Sequence, residues 1–187
     1  MKTLHLSFAN PETWRGNIQE SMKISSDAWK SLRFEILRRD NFTCQYCGFR
    51  AEKWQIVHHI DGNPNNNQKS NLETICPMCN LIHHAGQGCV VQGNVDLYRT
   101  VAYSQNEIMQ ITRRMRAEGK NDQEIIRFLS LREQVPFRMD RKYLARLFGF
   151  ITSRKTEQES TQKGLDYGYE QQGRGENHDL SHLPKEV

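Results

Sequence analysis

The sequence predicts an α+β chain: a small strand hairpin packed on a helix, then a helical region, then a polar tail. Three observations predict it. Cys44 with Cys47 and Cys76 with Cys79 form two CxxC turns around a β-rich run and a turn-rich loop. After residue 103, capping patterns precede runs with helical apolar spacing. From Thr156 onward the chain is polar, acidic and low in aliphatics, a composition that favours disorder. The implied division is an N-terminal extension over 1–26, a core over 27–86, a linker over 87–103, a basic helical region over 104–153 and a tail over 154–187.

In chain order, Trp14, Ile18 and Met22 have roughly helical spacing but place no firm element. Ser26 and Asp27 can cap a helix through Arg39, with Trp29, Leu32, Phe34, Ile36 and Leu37 as its apolar positions. Asp40 and Asn41 break it. Residues 54–60 (WQIVHHI) are rich in β-formers and read as a strand. Residues 61–67 (DGNPNNN) are a turn-rich loop, and 72–75 can return as the second strand. Pro77 suits the first turn of a helix running to about Ala85. Residues 86–93 read as loop, and 95–103 are ambiguous.

Three further helices are expected. Ser104 with Glu107 and Asn121 with Glu124 are capping-box pairs, ahead of helices near 104–118 and 122–132. Asp140 can cap a third over 140–149, with Tyr143, Leu144, Leu147 and Phe148 inward and Gly149 at its end. Residues 115–126 superficially resemble the start of a helix-turn-helix in recombinase-like DNA binders. That resemblance would turn Arg141, Lys142 and Arg146 toward a DNA groove. The connection over 133–139 is longer than the usual turn of such a motif.

Net charge is +4 over 187 residues, but it is unevenly spread. Residues 99–155 carry +7 and residues 156–187 carry −4. A basic segment suits a polyanion such as DNA, through counterion release; a solvated helical surface or a protein-docking face over 86–187 is the alternative. No run approaches eighteen apolar residues, which excludes a membrane span, and no secretory apolar core follows the N-terminal lysine. Five cysteines in that context indicate a reducing cytoplasm, where paired CxxC turns more often hold metal than disulfides.

Cys44, Cys47, Cys76 and Cys79, with 28 residues between the motifs, can close a tetrahedral structural zinc site. Such a site has no open position and supports folding rather than catalysis. Cys89 is left over as a free thiol. Between and beyond the motifs lie His58, His59, Asn71, Asn80, His83 and His84. Asn80 and His84 are four apart and share a helix face, so with His58 they can hold a divalent ion. His59 can instead approach a scissile phosphate. Asn71 can fix its ring or the loop beneath it.

At these residues the sequence resembles the HNH endonucleases. The stretch reads RRDNFTCQYCG, then IVHHIDGNPNNNQKSNLETICPMCN, then LIHH, about residues 28–85 in all. The resemblance implies a ββα-metal fold, hydrolysis of DNA and a catalytic divalent cation. It implies His59 as general base, Asn71 as the middle asparagine, and His58, Asn80 and His84 as ligand positions, with His83 a rival to His84. His58 stands where many members have aspartate. The exchange makes the donor set poorer in oxygen, so Mn²⁺ or Ni²⁺ should at least match Mg²⁺. Two alternatives follow from the same residues: a nuclease subunit recruited by a larger nucleic-acid-targeting or defence complex, and a zinc-stabilised binding module without activity.

Overall fold

The computed structural model describes residues 1–9 and 26–153. The Trp14, Ile18 and Met22 spacing and the tail from residue 156 lie outside the described residues. Helix α1 (Ser26–Arg39) leads into the first CxxC turn, and strands β1 (Ile56–His59) and β2 (Leu72–Ile75) form an antiparallel hairpin. Helix α2 (Pro77–His83) follows directly on the second CxxC turn, with Pro77 in its first turn and Cys76 as its cap. This segment therefore has its helix and strands where local signals place them.

The hairpin divides this unit into two faces because side chains alternate along a strand. Val57 and Leu72 lie against Ile36 and Leu37 of α1, with Trp29 and Leu32 beside them. Ile75 faces the other way, into the larger core with Ile82 of α2 and the four cysteines. Phe34, expected inside, is 55% exposed. It sits two residues before Ile36, about 200° around the helix, so the two cannot share a face.

The second half differs from the helical region expected. Helices α3 (Gln105–Ala117) and α4 (Asp122–Phe128) are present, each closed by the capping box foreseen. Between and around them runs a three-stranded antiparallel sheet. Its strands are β3 (Val95–Thr100), β4 (Arg132–Val135) and β5 (Phe148–Ile151), in the order β4-β3-β5. Residues 87–103 are thus no linker: they hold a single π-helical turn over 87–91 and the central strand. The third helix shrinks to one turn, α5 (Arg141–Leu144), capped by Asp140 as expected.

The physical reason is tertiary pairing. Phe148, Gly149, Phe150 and Ile151 take backbone partners from Tyr98, Leu97, Asp96 and Val95, which outweighs their helical spacing. With 132–135 a strand and α5 one turn long, no recognition helix of the helix-turn-helix kind stands among the described residues of this region. Gly149 is also not a helix end. A Cβ there would stand 2.6 Å from Ile82 Cδ1 and 3.1 Å from Leu6 Cδ2, so the glycine lets β5 press against α2 and the N-terminal segment. Gln105 braces the same point. Its side chain donates to Gly149 O and accepts from Gly149 N, both at 2.8 Å, inside the core.

Residues 1–9 complete the fold. Leu4 and Leu6 are buried in the main core. Backbone bonds from Lys2 N to Gln45 O and from Ala85 N to Ser7 O, each 2.8 Å, tie this segment to the first CxxC turn and to the end of α2. Among the described residues, no helix is long and apolar enough to cross a membrane.

Candidate functional site

The four cysteine sulfurs, from two turns that meet beside the hairpin, all lie within 4.8 Å of one another and all four residues are buried. Cys47 Sγ and Cys76 Sγ are 3.7 Å apart. Ligands of a tetrahedral zinc at about 2.3 Å would stand about 3.8 Å apart, so the donor set fits that ion in type and spacing. Its electrostatics agree. Hydrogen bonds from Cys47, Cys76 and Cys79 hold the Cys44 thiol well below its usual range, while hydrogen bonding with Cys44 and Cys47 pushes Cys76 and Cys79 up. Four thiolates this close need a cation among them. These cysteines can hold a zinc ion.

A second cluster sits on the α2 face of the hairpin. His58 is buried, and its ring meets that of His83 at 5.0 Å and that of His84 at 5.2 Å. His5, from the N-terminal segment, closes on His83 at 5.1 Å. Burial, helped by the neighbouring His83 and His84, lowers the His58 pKa to about 3. Burial and His5 lower that of His83 to about 4, and burial alone lowers His84. Near neutral pH these rings therefore present lone pairs, the state in which imidazole binds metal. Asn80, half-buried, lies one turn before His84, whose N–H donates to Asn80 O at 2.8 Å.

His83 is anchored from behind. Lys2 Nζ pairs with Glu73 Oε2 at 2.5 Å, and Tyr46 donates its hydroxyl proton to Glu73 Oε1 at 2.6 Å. Tyr46 Oη also lies 3.0 Å from His83 Nε2. Its one proton is committed to Glu73, so the neutral histidine is the donor to Tyr46. Burial and the Glu73 carboxylate push the Tyr46 pKa up, keeping that proton in place.

His59 stands on the opposite face of the hairpin, stacked on Trp29 of α1 with ring centroids 5.8 Å apart and planes 7° from parallel. Its Nε2 bonds to Asn67 Oδ1 at 3.0 Å. With a carbonyl oxygen as partner, Nε2 carries the proton and Nδ1 keeps the lone pair. Asn71 does not reach this ring. Its amide donates to Asp61 Oδ1 and Asn66 O, each at 2.9 Å, and its Oδ1 accepts from Asp61 N at 3.1 Å. Its own carbonyl accepts from Ile60 N at 2.8 Å, one residue past His59. Asn71 thus ties the loop behind His59, and Asn67 touches the ring.

The structure brings His58 and His84 together, sets Asn80 on the same helix, and places His59 across the hairpin from them. Arg141, Lys142 and Arg146 are all exposed, and the Arg141 guanidinium lies 5.0 Å from the ring of Phe8. Arg39, at the end of α1, is committed to Asp40, Lys69 O and Leu72 O. Sequence reasoning missed Lys2, His5, Trp29, Tyr46, Asn67 and Glu73 as parts of the site. The first two carry no signal beyond the alternation of Leu4 and Leu6 with polar neighbours, and Asn67 is one of three consecutive asparagines.

A stretch of 71 residues is 41% identical to the type 4 apparatus protein DotN of Legionella pneumophila subsp. pneumophila, covering 38% of this chain and 32% of that protein. The matched region thus spans about a third of the length of that curated relative. Residues 44–86, which hold both cysteine turns, the hairpin and α2, match the family model of the HNH endonucleases.

Proposed function

We propose that the chain is a metal-dependent endonuclease that hydrolyses DNA phosphodiester bonds, with His59 as general base and one divalent cation held by His58, Asn80 and His84. The observation that carries this reading is the arrangement of His59. Asn67 on Nε2 leaves the Nδ1 lone pair to accept a proton, and Trp29 fixes the plane of the ring. A base held in one tautomer can take the proton of a water attacking phosphorus in line. A divalent ion would supply stabilisation of charge developing on the phosphate oxygens. Neutral His58 and His84 suit Mn²⁺ or Ni²⁺ at least as well as Mg²⁺. Asn71 supports the site by holding the loop that follows His59. Arg141, Lys142 and Arg146 are assigned to nonspecific contacts with the DNA backbone. Four reduced cysteines suit a cytoplasmic setting.

Cleavage of a supercoiled plasmid in the presence of each metal, with chelator controls, tests this reading. Wild type should nick or cut with Mn²⁺ or Ni²⁺, and His59→Ala should lose about 10²–10⁴-fold in rate. Equal cutting by the variant overturns the mechanism, and cutting with Mg²⁺ alone overturns the metal assignment.

A second reading is favoured by the partial likeness to a type 4 apparatus protein. In it the domain serves as a subunit of a larger assembly, docked through residues 86–187. A folded, zinc-loaded wild type that cuts nothing with any of these metals supports that reading.

A further inference from the structure

The cysteine cluster has a neighbour that belongs to the other half of the chain. Arg113 of α3 donates from Nη2 to Cys76 Sγ at 3.3 Å. Its guanidinium carbon lies 3.6 Å from the centroid of the Phe49 ring, just past the first CxxC turn. Its Nε is buried with no hydrogen-bond partner among the described residues. Nor does a carboxylate pair with it among those residues, whereas the adjacent Arg114 and Arg116 pair with Glu118 and Asp122. A half-buried guanidinium without a carboxylate needs another counter-charge. Four thiolates around a divalent zinc carry a net charge of −2, which provides one.

Two further residues on the same face of α3 reach the same turn. Asn106 donates to Tyr46 O at 2.7 Å, and Gln110 donates to Cys47 O at 3.1 Å. Positions 106, 110 and 113 follow one stripe of the helix. The first CxxC turn is therefore held from outside by α3, although α3 supplies no ligand.

We propose that Arg113 is a positioning residue of the four-cysteine metal site: it compensates the charge of the thiolates and makes the docking of α3 depend on the metal. The inference rests on zinc in that site and is independent of nuclease activity. Loss of the metal removes the counter-charge of Arg113 and loosens the turn that Asn106 and Gln110 grip. The metal then orders the second half of the chain as well as the first.

The test uses the full chain loaded with zinc or cobalt. Arg113→Gln keeps a donor without charge, Arg113→Lys keeps the charge without the planar fork, and Arg114→Ala is the neighbouring control. Metal affinity should fall about 10–100-fold in Arg113→Gln, a typical cost of losing an outer partner. It should fall less in Arg113→Lys and stay unchanged in Arg114→Ala. The sulfur-to-cobalt charge-transfer band should move to longer wavelength in Arg113→Gln, because a thiolate that has lost its cationic partner is easier to oxidise. Wild-type affinity and an unmoved band in Arg113→Gln overturn the proposal. Should that variant not fold, hydrogen exchange on wild type decides. Removing the metal should release the amides of α3 together with those of the cysteine turns, and protection of α3 that survives metal removal counts against it.

Discussion

Asn67 Oδ1 lies 3.0 Å from His59 Nε2, and this bond selects which nitrogen of the ring can act as a base. Asn67→Ala removes the partner and frees the other tautomer. Cleavage by the proposed nuclease should fall about tenfold with little change in thermal midpoint, as expected when an orienting neighbour of a catalytic histidine is lost. Asn67→Asp should retain most of the activity, because a carboxylate oxygen still accepts from Nε2. Comparison of initial nicking rates checks both, and an unaffected Asn67→Ala would remove the orienting role.

Chelation should unfold more than the hairpin. Cys44, Cys47, Cys76 and Cys79 are all part of the main core that also contains Ile108, Phe150 and Leu4. A strong zinc chelator, or Cys79→Ser, should abolish the cooperative thermal transition and the near-ultraviolet circular dichroism together. A chelated sample that keeps the wild-type transition would show that the thiols alone suffice.

Asp40 predicts an acid limb of stability. Its Oδ2 accepts from Thr74 N at 2.8 Å and its carboxylate pairs with Arg39, so the end of α1 is tied to β2. Burial by itself raises its pKa, but the bonds from Arg39 and Thr74 outweigh it and the net shift is downward. A group lowered on folding stabilises above its unfolded pKa of about 4 and loses that contribution as pH falls through the folded value. Asp40→Asn should therefore be less stable than wild type at pH 7, and the gap should narrow below about pH 4. Denaturant midpoints at several pH values test this. A gap that is constant with pH would point to shape rather than charge.

Gly149→Ala should destabilise the fold by about 1–3 kcal/mol, the usual range for an overpacked core. The added methyl would press on Ile82 and Leu6, both buried. Gly149→Ala combined with Ile82→Val should recover part of the loss, since Val lacks the Cδ1 atom that the methyl meets. Urea midpoints of the single and double variants measure it, and a loss that Ile82→Val does not relieve would place the strain in the backbone instead.

The exposed cations of the second half have their own signature. Replacing Arg141, Lys142 and Arg146 together by alanine should reduce the salt dependence of DNA binding by up to about three ion equivalents, each phosphate contact contributing a slope near 0.9. Titration of binding against salt concentration reads this directly. An unaltered slope would leave these residues as a solvated surface or a protein-docking face.

The parts of this fold that were legible in the sequence are those fixed by neighbours along the chain. The bounds of β2 and the start of α2 follow from Leu72 to Ile75 and from Pro77, and the four cysteines announce their own meeting by spacing. The caps of α3 and α4 are likewise local. What escaped is nonlocal. Strand β5 looks helical until Val95 to Tyr98, some fifty residues earlier, offers its backbone. Tyr46 and Glu73 become partners of His83 only once the hairpin and both cysteine turns have closed. Asn67 could not be told from Asn65 or Asn66 without the loop that points it at His59.

The alternation of His58 and His59 along β1 has a consequence for how such a domain can diversify. One neighbour looks toward His83 and His84, the other toward Trp29 and Asn67, and a two-stranded ribbon stands between them. Substitutions on one side have few shared partners with those on the other, so their effects on folding stability should be close to additive, whereas their effects on cleavage should not, because the proposed base and donor set act on one phosphate. The packing around Trp29 and the packing against α2 can then change separately without loss of the hairpin. A substitution that stops cleavage on either side can therefore leave the packing of the other side, and the fold, in place.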